Sequence, residues 1–100
     1  MLDIKYLDCK NNKKLKTLAI FECLSLKNLK LNDSLQNFFS NKCTNLFNID
    51  LRKSKNLKIV RITNSAIASL DFTACKNLSI LQCVRCPNLS YLNLKQVKNS

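Results

Sequence analysis

"CKNLSILQCVRCPNLSYLNL", residues 75–94, places three cysteines within twelve residues, and Cys83 and Cys86 stand as a C-x-x-C pair. Such a pair reads as a metal site, a redox centre or a member of a larger pattern. The leucines around it decide the matter. Leu70, Leu81 and Leu92 recur every 11 residues, as do Phe72, Cys83 and Leu94, and so do Leu78 and Leu89. The cysteines fall inside this repeat, whose unit is L-x-x-L-x-L-x-x-(C/S/N)-x-x.

Repeats are sought before local structure because they fix the whole architecture. Here the unit runs almost end to end, with first residues Ile4, Leu15, Leu26, Leu35, Leu46, Leu57, Ile67, Leu78 and Leu89, and the last unit closes at Val97. The spacing slips by two residues after Ser34 and by one after Ser65, as short turns allow. Within each unit the L-x-L core alternates with period two, which predicts a short strand with its ends inward and its middle outward. A strand so short cannot stand alone, so the units must stack and bury their leucines against one another. Two units make a coil of 20 to 22 residues. The expected fold is mainly β with short turns: a right-handed parallel β-solenoid of about four to five coils with two strand rows, filling 1–100 as a single domain. No stretch has the period of a sizeable helix.

The pattern resembles the leucine-rich-repeat signature L-x-x-L-x-L-x-x-N/C-x-L, most nearly over Leu78 to Leu89. "CPNLSYLNL" looks like the cysteine-containing repeats of F-box substrate adaptors, but those units are longer and carry helices. The compact two-strand unit is more similar to short repeats of bacterial surface and effector proteins. The resemblance implies a curved parallel solenoid that binds macromolecules, mostly proteins, on its open faces. It also implies that a small polar side chain at the ninth position turns inward and hydrogen-bonds the turn backbone. Cys23, Cys43, Cys75 and Cys86 hold that position, alternating with Asn12, Ser34, Ser54 and Ser65. Cys9 and Cys83 hold the sixth position, occupied elsewhere by Ile20, Leu31, Leu51, Ile62, Phe72 and Leu94, and read as small core residues. All six cysteines are thus explained as structural thiols, with no bond expected between Cys83 and Cys86. A zinc site would want a second C-x-x-C or histidines.

Composition narrows the function classes. The chain has 100 residues, 46% of them hydrophobic, with no histidine, glycine or tryptophan. Without histidine it lacks the usual acid/base group and the commonest metal ligand. Without glycine it has no phosphate-cradling loop. A non-enzymatic protein without cofactor or metal is the expectation. Asparagine is abundant, fourteen in all, and is expected to supply the left-handed turn positions. The formal net charge of +11 favours polyanionic partners such as RNA or an acidic protein surface. Met1-Leu2-Asp3-Ile4-Lys5 lacks the apolar segment of a signal peptide, and no apolar run has the length of a membrane span. The sequons at Asn32, Asn77 and Asn88 would matter only in a secreted protein. A cytoplasmic location is the default, and a secreted effector is the alternative if the chain is a fragment or mature form.

Two surfaces are candidates for a partner. One strand row has cores Leu7, Leu29, Ile49, Leu70 and Leu92 and outward middles Asp8, Lys30, Asp50, Asp71 and Asn93. Adjacent parallel strands lie about 4.8 Å apart, so Lys30 should sit between Asp8 and Asp50, and Asp50 beside Asp71 as the one plausible carboxylate pair. The other row has cores Leu18, Phe38, Val60 and Leu81 and middles Ala19, Phe39, Arg61 and Gln82. There Phe21, Phe39, Ile59, Ile80 and Val84 are expected to form an apolar stripe beside Arg61, Gln82 and Arg85, the composition of a contact surface for another protein. Lysines gather in the turns instead: Lys10, Lys13, Lys14 and Lys16, then Arg52, Lys53, Lys55 and Lys58. Stacked, they would line one edge as a basic ridge for RNA or an acidic surface. Tyr6 and Tyr91 lie too far apart in the chain for a base-stacking platform. Solenoid ends need polar caps, and none is visible in the pattern, so the chain is expected either to be a piece of something longer or to associate through its ends with another protein or another copy, the latter an end-to-end self-association.

Overall fold

The computed structural model describes residues 4–95; Val97 and the outer limits of the expected 1–100 domain lie outside them. Nine strands follow one another in the order β1 Tyr6–Asp8, β2 Thr17–Phe21, β3 Asn28–Lys30, β4 Asn37–Asn41, β5 Asn48–Asp50, β6 Ile59–Thr63, β7 Ser69–Asp71, β8 Ile80–Val84 and β9 Tyr91–Asn93. There is no helix among the described residues. Odd-numbered strands have three residues and even-numbered strands have five. All pairings are parallel, and each strand meets the one a full coil away. Thr17 pairs with Asn37, Asn37 with Ile59 and Ile59 with Ile80, so the coils advance by 20 to 22 residues. This is the β-solenoid of about four turns that the eleven-residue repeat dictates.

Side-chain alternation supplies the core. Leu29, Phe38, Val60, Leu70 and Phe72 are all buried, joined by the first-position residues Leu35, Leu46, Leu57 and Ile67. Each buried large aliphatic or aromatic side chain contributes about 1.5–3 kcal/mol relative to exposure. Because β-strands this short have little stability of their own, that stacked interior is what orders them.

The turns differ from expectation. Four non-glycine residues have positive φ: Glu22 (52°), Lys42 (60°), Asn64 (56°) and Arg85 (55°). Each follows directly on a five-residue strand, one per coil. Only one of the four is asparagine. The other asparagines stitch neighbouring coils together instead: the Asn45 amide donates to the Leu24 carbonyl at 2.7 Å and the Asn56 amide to the Asp33 carbonyl at 2.7 Å. Asn48 donates to Asn28 at 3.3 Å, and Asn37 to the Thr17 hydroxyl at 3.1 Å. A short side chain carrying both donor and acceptor suits a stack in which each backbone group has a like group one coil away.

The slips of the repeat are shortened turns. After β3 the chain needs only residues 31–36 to reach β4, where 9–16 and 51–58 serve in the neighbouring coils. Asn32, 5% exposed, fills this tight turn. Its amide donates to the carbonyls of Cys9 (2.7 Å) and Asn12 (3.0 Å), while its oxygen accepts from the N–H groups of Ser34 (3.2 Å) and Leu35 (3.1 Å). The sequon at Asn32 is therefore a buried structural asparagine. The second slip shortens the turn after β6 to residues 64–68, and there the row of three-residue strands comes apart. It forms one sheet β1-β3-β5 and another β7-β9, whereas β2-β4-β6-β8 is continuous.

Candidate functional site

The continuous sheet positions the residues singled out as a contact face. Its outward side chains form three columns in register: Thr17, Asn37, Ile59, Ile80; then Ala19, Phe39, Arg61, Gln82; then Phe21, Asn41, Thr63, Val84. The apolar members Phe21, Phe39 and Ile59 therefore step diagonally across β2, β4 and β6, and Ile80 stands directly beside Ile59 in the first column. Phe21 is 59% exposed and Ile80 41%, while Phe39 and Ile59 are half-buried on the same face. Cations cover the two rings. The Arg61 guanidinium lies 5.8 Å from the Phe39 centroid and the Lys42 ammonium 5.8 Å from that of Phe21, within the range where a cation is attracted to a ring face. Gln82 and Val84 are exposed on β8, and Arg85 projects from the following turn. Seven of the eight expected residues thus lie on the outward face of this sheet and Arg85 lies in the turn after it; only the register revealed how the apolar ones are arranged.

The acidic row behaves differently. Lys30 is in register between Asp8 and Asp50, as expected. Asp50 and Asp71 are not neighbours in a sheet, because β5 and β7 do not hydrogen-bond. They stand on opposite banks of a groove of about 590 Å³, shared with Asn48, Arg52, Ser69 and Thr73. Each carboxylate is engaged by the turn that follows it. Asp50 accepts from the Arg52 N–H (3.1 Å), Nε (3.0 Å) and Nη2 (2.9 Å). Asp71 accepts from the Thr73 N–H (3.0 Å) and, at 2.5 Å, from its hydroxyl. Asp8 and Asn93 cap their turns the same way, through Lys10 N–H (2.9 Å) and Lys95 N–H (3.0 Å). The Arg52 hydrogen bonds hold the Asp50 carboxyl below its ordinary pKa, and the Thr73 hydroxyl does the same for Asp71. Each carboxylate is thus tied to its own turn rather than to the other. The row is a set of turn caps, a role that the strand pattern alone did not reveal.

The basic side chains lie in two separate layers. Lys13, Lys14 and Lys16 belong to the turn 9–16, and Arg52, Lys53, Lys55 and Lys58 to the turn 51–58. Between them sits the short turn 31–36, bonded to both: Gln36 N–H donates to the Lys16 carbonyl (2.9 Å), and Lys58 N–H to the Gln36 carbonyl (2.7 Å). That middle layer carries Asp33 and no cation. The clusters share an edge but do not form an unbroken ridge, and Arg52 is bound to Asp50.

The cysteines are free thiols, with Cys9, Cys43 and Cys75 buried and Cys23, Cys83 and Cys86 half-buried. Burial pushes Cys75 up to about 11, with the nearby Asp71 charge adding, and burial does the same to Cys83, helped by Cys86. The ninth position behaves as expected at Ser34, which donates to the Leu15 carbonyl (3.0 Å), at Ser65, which donates to that of Leu46 (2.9 Å), and at Cys86, whose thiol donates to that of Val84 (3.6 Å). Asn12 is instead exposed at the end of the stack, and the buried Ser54 hydroxyl bonds no backbone group among the described residues. Among the described residues no three His, Cys, Asp or Glu side chains gather as a metal site. No protein-family model, curated protein or solved structure matches the chain.

Proposed function

We propose that this chain is a leucine-rich-repeat-like, non-enzymatic module that binds another protein through the outward face of β2, β4, β6 and β8. The observation carrying this reading is the outward apolar set of exposed Phe21 and Ile80 with half-buried Phe39 and Ile59, beside Arg61, Gln82, Val84 and Arg85. Aromatic, aliphatic and arginine side chains on a rigid, charge-poor patch are what protein contacts are built from. The Lys42 and Arg61 cations beside its rings would draw in a partner carrying acidic groups. The family reading rests on the repeat, and over Leu78 to Leu89 the repeat departs from the signature in two respects. Cys83 stands where the signature has its third leucine, and after Cys86 the next leucine is Leu89, one place later than the signature puts it.

A basic surface for RNA weighs less, because the turn carrying Asp33 divides the lysines into two layers. Capture from native lysate should compare the wild-type chain, Phe21→Ser/Ile80→Ser, and Lys13→Ala/Lys14→Ala/Lys53→Ala/Lys55→Ala, with and without nuclease. Loss of a captured protein with the first variant alone, insensitive to nuclease, supports the contact face. Loss with the lysine variant and with nuclease, weakening by orders of magnitude between about 50 and 200 mM salt, would establish the RNA reading instead. Capture indifferent to both variants removes both.

A further inference from the structure

The same repeat position is buried to very different degrees along the stack. At the fourth position, Leu29 and Leu70 are 1% exposed, but Leu92 is 44%. At the first, Leu35, Leu46 and Leu57 are 0% exposed, but Ile4 is 43%. Leu7, Leu18 and Ile20 at one end, and Leu81, Cys83 and Leu94 at the other, are half-buried where their interior counterparts are covered. At the first end Ile4, Leu7, Ile20 and Leu26 line an apolar hollow of about 480 Å³. Among the described residues the sheets are also open there: β1 and β2 have no partner on one side, nor do β8 and β9 on the other. Each end thus shows unpaired backbone groups beside apolar side chains, an edge that invites another strand pair.

The interior of the molecule shows what covers such a surface. Wherever these positions are dry, the covering element is another coil of the same pattern, parallel and in register. The two ends are the opposite faces of that one interface. The β1/β2 end presents the face that β3 and β4 meet from within, and the β8/β9 end presents the reverse face. A like end cannot satisfy this geometry, because it would bring the strands together antiparallel.

We propose that the protein associates head to tail with further copies of itself, the end built from Ile4, Leu7 and Leu18 docking on the Leu81 and Leu92 end of the next copy. The contact is heterologous, so it does not close into a dimer and grows into linear assemblies. Charge makes a second, opposite-signed demand. Each copy carries +11, so assembly strengthens as salt is raised from about 0.1 M to about 1 M, where the screening length falls from about 10 to about 3 Å.

Sedimentation of the purified full chain across a hundred-fold concentration range, in reducing buffer, tests this. The expected result is a mean mass that at least roughly doubles with concentration and rises further with salt. The variants Ile4→Lys and Leu92→Lys, at positions already 43% and 44% exposed, each block one end, and circular dichroism checks that both keep the β fold. Each alone stays monomeric, whereas their mixture forms a one-to-one pair and stops. A wild-type chain that is monomeric at every concentration and salt overturns the proposal. So does a single variant that still dimerises by itself, which would mean that like ends pair.

Discussion

The depth of a leucine in the stack sets what its loss costs, and the first repeat position isolates that variable. Leu15, Leu57 and Leu78 hold the same place in different coils; Leu57 is 0% exposed and Leu78 3%, while Leu15 is half-buried at the edge of the core. Leu57→Ala removes three buried carbons, about 2.4 kcal/mol at about 0.8 kcal/mol each. The backbone around it is pinned on both sides, Lys58 N–H to the Gln36 carbonyl at 2.7 Å and Ser79 N–H to the Lys58 carbonyl at 2.8 Å, so the hole cannot collapse. The cavity term then brings the total to about 3–5 kcal/mol, with about 2–5 for Leu78→Ala. At Leu15 the space left behind opens to water and carries no cavity term, so about 1 kcal/mol is expected. Lys13→Ala, on the exposed turn, should stay within about 0.5 kcal/mol of wild type. Urea unfolding followed by circular dichroism reads all four, at low protein concentration so that end-to-end contacts do not restore burial at Leu15. With an m value of about 2 kcal/mol/M, Leu57→Ala moves the midpoint down by about 1.5–2.5 M. Equal losses at Leu15 and Leu57, or a loss at Lys13 as large as at Leu78, would refute the assignment of inward and outward positions.

The thiols give the fold an alkaline limit. Cys75 rises to about 11 because burial disfavours its thiolate, so its contribution is complete below about pH 9 and is lost as pH climbs toward 11. This amounts to about 2–3 kcal/mol, visible as a steeper alkaline fall in melting temperature for wild type than for Cys75→Ala. At neutral pH Cys75 and Cys83 should react with a thiol reagent far more slowly in the folded than in the urea-unfolded chain. Among the described residues the buried hydroxyls of Ser40 and Ser54 have no hydrogen-bond partner. Ser54→Ala should therefore be neutral or stabilising by up to about 1 kcal/mol in the same urea assay, and a loss above that would mean the hydroxyl is satisfied. Lys42→Gly relieves a residue at φ 60° and should stabilise by about 0.5–1 kcal/mol, where Lys53→Gly in the opposite turn should not. Inserting one residue after Ser65 should join β5 to β7, slowing hydrogen exchange of the Leu51 amide; unchanged exchange would place the cause of the break elsewhere.

That break marks the boundary of what the sequence could tell. Coil length, strand positions and the inward set follow from period two nested in period eleven, since no other arrangement buries those leucines together. The repeat slips were equally visible, but their consequences were not, because a missing residue can be absorbed in two ways. After Ser34 the loss of two residues is absorbed entirely within the turn. Asn32 replaces backbone bonds with four side-chain ones, and β2-β4 and β3-β5 pair on either side of it undisturbed. After Ser65 no such residue is present. The turn bond made elsewhere from Leu26 to Cys23 and from Leu46 to Cys43 is replaced by the Ser65 hydroxyl accepting from Ile67 N–H at 3.3 Å, and β7 is delivered out of reach of β5. The left-handed positions were illegible for a related reason. Propensity assigns them to asparagine, but in this stack Asn32, Asn37, Asn45, Asn48, Asn56 and Asn93 serve instead as links to the coil beside them. Those links tie neighbouring coils at several heights, so the strain of a left-handed Glu22, Lys42 or Arg85 is borne by the stack rather than avoided by choice of residue. The outward face of the other row is shaped by the same coupling. β4 and β6 are offset by 22 residues, the interval that neither slip touches, so Phe39 meets Arg61 and Ile59 falls one column away; the slip after Ser65 cuts the next offset to 21 and sets Ile80 directly beside Ile59.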